Sequence, residues 1–280
     1  MGREPLKYKP LAEAILEVRW ALQAVKLQGL QSVGVSPSEV MSDGAPVVRI
    51  DPHFRLVLGR FYDRVRSEYI KHESLPSASL PDAFVGQSVQ HRFRHIEGWP
   101  IVQLGPGILT VNDTEKYKWE DFQPRCIQAV NTLFEAHPDP AALTIDSLVL
   151  RYIDAVDFDH SKNDVGAFLK ETMDVQCALP DAMFETPAVD RGPETFRWEA
   201  SYRCSAPAGR ITLLFATGAR ENKNAVIWET VFTTAGNDLP VIPDGFETWL
   251  EAAHNLADDW FFKLIEGGSG ELSRRFNGAE

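Results

Sequence analysis

The sequence has few cysteines and no long apolar run. Its three cysteines, Cys126, Cys177 and Cys204, lie far apart and form no Cys-x-x-Cys pair, so neither a disulfide framework nor a zinc site is predicted. No stretch reaches the ~18 consecutive apolar residues that a membrane helix needs. The opening MGREPLKYKP contains no apolar signal segment. These absences predict a cytoplasmic protein with reduced thiols, no membrane association and no metal.

Basic residues are outnumbered by acidic ones. The chain has 28 lysines and arginines against 40 aspartates and glutamates, a formal net charge of -12. An acidic surface repels nucleic acid unless the basic residues are segregated. The most basic region, residues 49–71, interleaves its arginines with Asp51, Asp63 and Glu68, which is typical of a solvated face. Nucleic-acid binding there is therefore the least favoured function, and no nucleic-acid partner is expected.

The remaining composition is that of an ordinary folded protein. Hydrophobic residues make up 44% of the 280 positions and charged residues 24%, without the polar excess of a disordered chain. The length exceeds the usual ~100 to 200 residues of a single domain. One large domain and two compact lobes are therefore both compatible with the sequence.

A short pattern occurs twice in the chain. LEVRW (16–20) and LVLRY (148–152) place an arginine before an aromatic residue in the same frame, 132 positions apart. Each copy is followed by irregular and helical stretches, by alternating segments typical of antiparallel strands, and finally by a long amphipathic helix. The sequence predicts an α+β fold of two tandem, duplicated lobes, residues 1–138 and 139–280, each with an antiparallel sheet packed on a long helix.

Several local predictions are specific enough to be checked. LAEA (11–14) is expected to form one helical turn that leads into a strand, with Glu17 and Arg19 on the face opposite the apolar side chains. Further expectations are a strand at 47–58, a polar hairpin loop at 218–224, a first long helix that begins near Thr114, and a final helix capped by Asp244.

Three motifs together resemble a known family. They are LAEAILEVRW near the start, VQLGPGILTVND with the nearby Tyr117 and Trp119, and LVLRYIDAV in mid-chain. In these the chain is similar, over essentially its whole length, to a sporadically distributed bacterial family of uncharacterised proteins. It departs from the family pattern at Asp154, where that family more often has asparagine. The resemblance implies a bacterial accessory-genome protein of the same fold, and it brings no activity, cofactor or catalytic residue with it.

The repeated arginines are candidate ligand-binding residues. Arg19 and Arg151 occupy the same place in the two copies, and two guanidinium groups where the lobes meet would hold an anionic group through charge-assisted hydrogen bonds. The favoured alternative is that each arginine forms an ion pair with a nearby carboxylate, since buried arginines are usually paired. For Arg19 the obvious local partner is Glu17.

Acidic residues follow the second copy of the pattern. Asp154 and Asp157, with Asp159 and His160 just beyond, supply oxygen and nitrogen ligands at close spacing, as a divalent metal or a carboxylate pair requires. Strand alternation places Asp154 on the face opposite Asp157. A solvated strand end is therefore the favoured interpretation of this run.

No convergent catalytic groups are identified. His254 and Asp258 are four residues apart on the final helix, where a surface pair is favoured over a hydrogen-bonded dyad, and no nucleophile is tied to them. The sequence thus predicts no catalytic residue, no metal and no cofactor, and enzymatic activity is not favoured.

We expect a non-enzymatic protein-interaction module of a bacterial multi-gene system, which binds a protein partner through its sheet surface or an interlobe groove, where aromatic-rich strands leave an apolar patch. A homodimer is also compatible with the sequence. The alternative is a small anionic-ligand binder or a hydrolase that uses a sheet–helix or interlobe cleft. This alternative requires at least two of its proposed polar groups to meet in one pocket. Those groups are Arg19, Arg151, Asp154 and Asp157.

Overall fold

The computed structural model describes residues 6–26, 47–114, 116–185, 189–190 and 192–278. Within these residues the strands are β1 (Leu11–Trp20), β2 (Gln23–Lys26), β3 (Val47–Ile50), β4 (Lys71–Ser74), β5 (His91–Arg94), β6 (Ile101–Gly105), β7 (Ile108–Asp113), β8 (Ile145–Asp157), β9 (Arg197–Ser205), β10 (Ala208–Arg220) and β11 (Lys223–Ala235). The helices are α1 (Phe54–Val65), α2 (Asp82–Val85), α3 (Trp119–Ala136), α4 (Val165–Met173), α5 (Phe246–Glu266) and α6 (Glu271–Asn277).

A large antiparallel sheet forms the centre of the protein. Its strand order is β4-β5-β6-β7-β1-β8-β11-β10-β9, and β2 pairs separately with β3. The predicted α+β class is confirmed. Strands from residues 1–138 and from residues 139–280 belong to the same sheet, because β1 and β8 pair at its centre.

The pairing of β1 with β8 is continuous from Glu13 to Arg19, and its register shifts between Leu11 and Glu13 and between Arg19 and Trp20. Glu17 lies opposite Val149, while Leu16 faces Leu150 and Val18 faces Leu148. On the outer side of β1 lies β7, the last strand before α3, and on the outer side of β8 lies β11, the last strand before α5. Each central strand is therefore flanked by the strand that precedes a long helix, beyond which lie three further strands on the β1 side and two on the β8 side.

Strand alternation gives the sheet two different faces. Leu16, Val18, Leu148 and Leu150 are fully buried, because their side chains share a face, and they belong to one hydrophobic cluster with buried residues of α1, α3 and α5. Burial of one such side chain contributes roughly 1.5–3 kcal/mol to folding. The intervening polar residues of β1 point to the other face.

A second cluster lies toward the β9 side of the sheet. Trp228 and Phe215 are fully buried there among residues of α4, α5 and α6. Since α5 contributes to both clusters, it spans the two parts of the core. None of the helices in the described ranges combines the length and apolarity required to cross a bilayer.

Two local predictions are wrong at the N-terminal side. Residues 11–14 belong to β1 rather than to a helical turn, because Ala14 pairs with Tyr152 of β8 and the ladder overrides local helix propensity. The predicted strand at 47–58 ends at Ile50, and α1 follows. The apolar residues from Phe54 onward lie at helical spacing, and the strand prediction extended over them incorrectly.

Three further boundaries differ from the predictions. The loop predicted at 218–224 is reduced to Glu221 and Asn222, whose φ values of 51° and 65° fit the two-residue turn favoured by twisted hairpins. The first long helix begins at Trp119 rather than near Thr114. The N-cap of α5 is Gly245, without a side-chain cap from Asp244.

Replacement of Leu150 by alanine should lower the free energy of unfolding by about 2–5 kcal/mol, since it leaves a cavity beside the β1–β8 ladder. Urea unfolding measures this loss. Leu80→Ala is the control, because Leu80 is 52% exposed and its truncation should change stability by no more than about 0.5 kcal/mol. Equal effects of the two substitutions would contradict the central position of β8 in the core.

Candidate functional site

A cavity of about 550 Å³ lies between the sheet and the helices α3 and α5. The segment before β1, the strands β8 and β11, the start of α3 and the middle of α5 all contribute to its walls. Its lining includes Lys9, Leu11, Tyr117, Trp119, Tyr152, Asp154, Thr230, His254, Ala257, Asp258, Phe261 and Phe262.

Two tyrosines and a histidine form a hydrogen-bonded chain along one wall. The hydroxyl groups of Tyr117 and Tyr152 are 3.1 Å apart, and the Tyr152 hydroxyl is 2.9 Å from Nδ1 of His254. Burial raises the pKa of both tyrosines, so their hydroxyl groups remain protonated at neutral pH. Depending on the histidine tautomer, the proton between Tyr152 and His254 lies on Nδ1 of the imidazole or on the tyrosine hydroxyl group.

The imidazole of His254 stacks on the indole of Trp119. Their ring centroids are 3.7 Å apart, with an interplanar angle of 13°. Burial lowers the pKa of His254 to about 4, because the charged form loses its hydration. At neutral pH the imidazole is therefore uncharged, and this wall of the cavity carries no positive charge.

Asp154 lies on the sheet side of the cavity. Its side chain is 3% exposed, and it makes no hydrogen bond with any residue that the structure describes. Burial raises its pKa to about 8, against a smaller opposing effect from the Arg220 guanidinium. Arg220 itself donates from Nη1 to the carbonyl oxygens of Pro10 and Ala155, each at 3.3 Å.

Thr230 is a second buried polar group without a partner. It is 1% exposed, and its Oγ1 has no hydrogen-bond partner among the described residues. In the β8–β11 register Thr230 faces Tyr152, and Trp228 faces Asp154, so Thr230 and Asp154 are diagonal neighbours on the same face of the sheet. Two polar side chains therefore line the cavity without the partners that buried polar groups normally have.

The rim carries charges of both signs. Lys9, Lys118 and Glu120 are exposed there, and Nζ of Lys9 donates to the carbonyl oxygen of Tyr117. Phe261 and Phe262 on α5 supply apolar surface between the rim and the sheet. The cavity thus combines aromatic walls with a polar base.

No family model, curated protein or solved structure matches the chain.

The two repeated arginines lie on the other face of the sheet. Arg19 Nε is 2.6 Å from Glu17 Oε1, and its Nη1 donates to the carbonyl oxygen of Gln87 at 3.0 Å. Arg151 Nε is 3.7 Å from Glu229 Oε2. Because Arg151 faces Ile15 in the register, it lies four residues, or roughly 13 Å, from Arg19 along β1. The two guanidinium groups do not converge.

The structure does not bring the four predicted site residues together. Asp154 is the one that lines the cavity, while Asp157 is exposed at the end of β8, with its Oδ2 3.9 Å from Nζ of Lys223. Asp159 accepts hydrogen bonds from Ser161. Within the described ranges, no group of three histidine, cysteine, aspartate or glutamate side chains is placed to hold a metal ion.

Sequence reasoning missed most of the cavity's polar residues. The sequence correctly predicts strands at Tyr152 and Thr230 but does not indicate that their side chains line a cavity, and it favours a helix-surface position for His254. One signal was available: polar residues occupy buried positions of the β8 and β11 alternation, at Asp154 and Thr230. The contribution of Tyr117 and Trp119 depends on tertiary packing and left no comparable pattern.

Asp154→Asn should change the pH dependence of stability. The pKa of Asp154 is about 8 in the folded protein, against an ordinary value of 3.8. The folded state therefore binds the proton more tightly than the unfolded state does. The stability that this proton contributes is fully present below about pH 4 and is lost as the pH rises to about 8. The variant should gain stability relative to the original protein over this window, by up to about 1.4 kcal/mol per pH unit.

Urea unfolding of both proteins between about pH 5 and pH 8 measures this difference. His254 is present in both, so its titration cancels in the comparison. Asp157→Asn serves as the control for removal of an exposed aspartate. A difference between the original protein and Asp154→Asn that stays constant with pH would contradict the buried position of Asp154.

Proposed function

We propose that this protein binds a small organic molecule in the cavity between the sheet and α5. The observation that carries the proposal is that two buried polar side chains line the cavity: Thr230, whose Oγ1 has no hydrogen-bond partner among the described residues, and Asp154, whose pKa is raised by burial to about 8. An unpaired buried polar group costs roughly 1–3 kcal/mol. A ligand that hydrogen-bonds to both would remove that cost on binding.

The dimensions and walls of the cavity support the same proposal. Its volume of about 550 Å³ falls within the ~300–1,000 Å³ of typical small-molecule pockets. Aromatic rings with a few placed polar groups are the usual lining of such pockets, because the rings supply apolar contact and the polar groups fix the orientation of the ligand.

The proposal is limited to binding. The chain from Tyr117 through Tyr152 to His254 can hold a proton, but no serine or cysteine among the described residues is hydrogen-bonded to it. The two arginines proposed to hold an anion lie on the opposite face of the sheet and do not contact this cavity. We therefore keep the proposed ligand site between sheet and helix, and we do not propose an anionic ligand or a hydrolase activity.

We also infer that the two halves of the chain arose by duplication. The offset of 132 residues between LEVRW and LVLRY relates Glu17 to Val149, and these two residues face each other in the β1–β8 register. A two-fold relation between the halves requires this coincidence, and the strand order on either side agrees with it. An experimental structure in which the halves did not superpose with position 17 on position 149 would contradict the inference.

The halves differ at the position of the cavity. By the same offset, Tyr152 corresponds to Trp20 and Asp154 corresponds to Leu22. The Trp20 indole donates to Asp51 at 2.9 Å, and Leu22 lies so close to Gly107 that a Cβ there would be 2.8 Å from its Cδ2. The first half thus has apolar contact where the second half has a polar lining, and the cavity is completed by first-half residues that include Tyr117 and Trp119.

The protein-interaction module remains a second proposal. The sheet face opposite the helices carries partly exposed ion pairs such as Arg151 with Glu229, which a protein partner could contact. Among the strand aromatics, Phe215, Trp228 and Phe232 are 0% exposed, while Tyr202 of β9 is 49% exposed. This makes the cavity the better supported site.

If that face binds a protein, alanine at both Arg151 and Glu229 should weaken retention of a co-purified partner, since both side chains contribute to the exposed surface. Native mass spectrometry of the eluate measures the retained complex. The Arg66→Ala variant is the control, because Arg66 lies at the end of α1, where it pairs with Asp63 of the same helix. Unchanged retention of the partner by the double variant would count against the proposal.

The cavity proposal predicts that small aromatic fragments bind beside Trp119. A fragment set should shift the amide-type signal of the Trp119 indole in ¹H–¹⁵N spectra, with the signal assigned from Trp119→Phe. Ala257 lines the cavity and is 1% exposed, so Ala257→Phe should fill part of the space and abolish these shifts.

Asn255→Phe provides a matched control on the exposed side of α5. It should leave fragment binding unchanged. A thermal melt of each variant establishes that the fold is retained, and Ala257→Leu replaces Ala257→Phe if the larger ring prevents folding. Fragments that bind equally well to the filled variants, or a complete lack of binding to the original protein, would overturn the proposed function.

A further inference from the structure

We propose that the ligand carries a cationic nitrogen, an ammonium or amidinium group, which binds between Asp154 and Thr230. This inference rests on the proposed small-molecule site and specifies the chemical class of its ligand.

Both polar side chains at the base of the cavity can accept hydrogen bonds from a ligand. The carboxyl group of Asp154, once ionised, can only accept hydrogen bonds, and the Thr230 Oγ1 has a free acceptor position. As diagonal neighbours on adjacent strands their Cα atoms lie roughly 7 Å apart. One nitrogen with two or more N–H groups can therefore donate to both oxygens, which an anionic or purely accepting ligand cannot do.

The walls above this base favour a positive charge. Tyr117, Trp119, Phe261 and Phe262 contribute aromatic rings to the lining, and the faces of aromatic rings attract cations, most strongly where water is excluded. Asp258 also lines the cavity, on the α5 side, and adds negative potential. Aromatic rings with carboxylates form the usual environment of an organic cation in a protein.

The cationic residues nearby do not fill this role. Arg220 approaches from β10 and directs Nη1 to the carbonyl oxygens of Pro10 and Ala155. Lys9 is exposed and donates to the Tyr117 carbonyl oxygen, and Lys118 is exposed at the rim. His254, which faces the cavity from α5, is uncharged at neutral pH because its pKa is about 4.

Binding of such a cation should depend on pH. The titratable groups that line the cavity are Asp154, Tyr152, Tyr117, His254 and Asp258, with Lys9, Lys118 and Glu120 at the rim. The Arg220 guanidinium lies outside this lining and acts on Asp154 through its charge. Burial raises the pKa of both tyrosines, and the pKa of His254 is about 4. Tyr117, Tyr152 and His254 therefore each keep one protonation state between about pH 5 and pH 8. Asp154, with a pKa of about 8, must lose its proton when the cation binds.

Three matched probes test the charge requirement: benzylamine as a cation, benzyl alcohol as a neutral molecule of similar shape, and benzoate as an anion. Binding is followed through the Trp119 indole signal of the full chain. Benzylamine should bind at pH 8 at least tenfold more tightly than the other two probes, and its affinity should fall about tenfold for each pH unit below 8.

Asp154→Asn should weaken benzylamine binding at least tenfold and remove its pH dependence, while leaving the weak binding of benzyl alcohol unchanged. This second readout separates a charge effect from a loss of the fold. Asp157→Asn, which removes a carboxylate outside the cavity, should bind all three probes as the original protein does.

Benzyl alcohol or benzoate binding as tightly as benzylamine would overturn the cationic ligand, as would an unchanged benzylamine affinity in Asp154→Asn. If benzylamine fails while other fragments still shift the Trp119 signal in a manner sensitive to Ala257→Phe, the ligand class is wrong and the binding site stands. If no fragment of any charge binds, both proposals fail together.

Discussion

The pairing of β1 with β8 is the contact on which the rest of the structure depends. These strands lie more than a hundred residues apart in sequence and meet at the middle of the sheet. Without this ladder each would be an edge strand with an unpaired row of backbone groups. The pairing also makes the apolar face continuous, so that side chains of α1, α3 and α5 enter one core. The entropy of closing a long loop is thus offset by burial on both sides of the junction.

The same junction builds the cavity, because it places Pro10 and Leu11 beside the far end of β8. The Pro10 carbonyl oxygen accepts from the Ala155 amide at 3.0 Å, and α5 then covers Tyr152 and Asp154 from above. The apolar packing around the cavity positions its polar groups without pairing all of them. A carboxyl group that is buried without a partner lowers stability as it ionises, and such groups are concentrated at functional sites.

Sequence patterns predicted the architecture better than the site. Alternation predicted the central strands and placed Asp154 and Asp157 on opposite faces of the same strand, since the side-chain period of a strand is independent of tertiary context. At 47–58 the helical spacing of the apolar residues was misread, and at 11–14 long-range pairing overrode the local preference. Arg19 attracted notice because it is repeated and charged, yet it forms a local ion pair with Glu17. The meeting of Tyr117, Trp119 and His254 depends on how α3 and α5 pack, which no local pattern encodes.

On the proposed duplication, the two halves solve the same packing problem in different ways. An aromatic residue with a polar group needs a partner when it is buried. In the first half, the Trp20 indole donates a hydrogen bond to Asp51, which is 7% exposed. The partners of Tyr152 are Tyr117 and His254, and Asp154 beside it forms no hydrogen bond with the described part of the chain. Two copies of one scaffold can diverge in this way because the first retains the stability of the core while the second accepts a buried polar group. On this proposal the position of the cavity follows from the duplicated sheet, and its chemistry combines Tyr152, Asp154 and His254 of the second half with Tyr117 and Trp119 of the first.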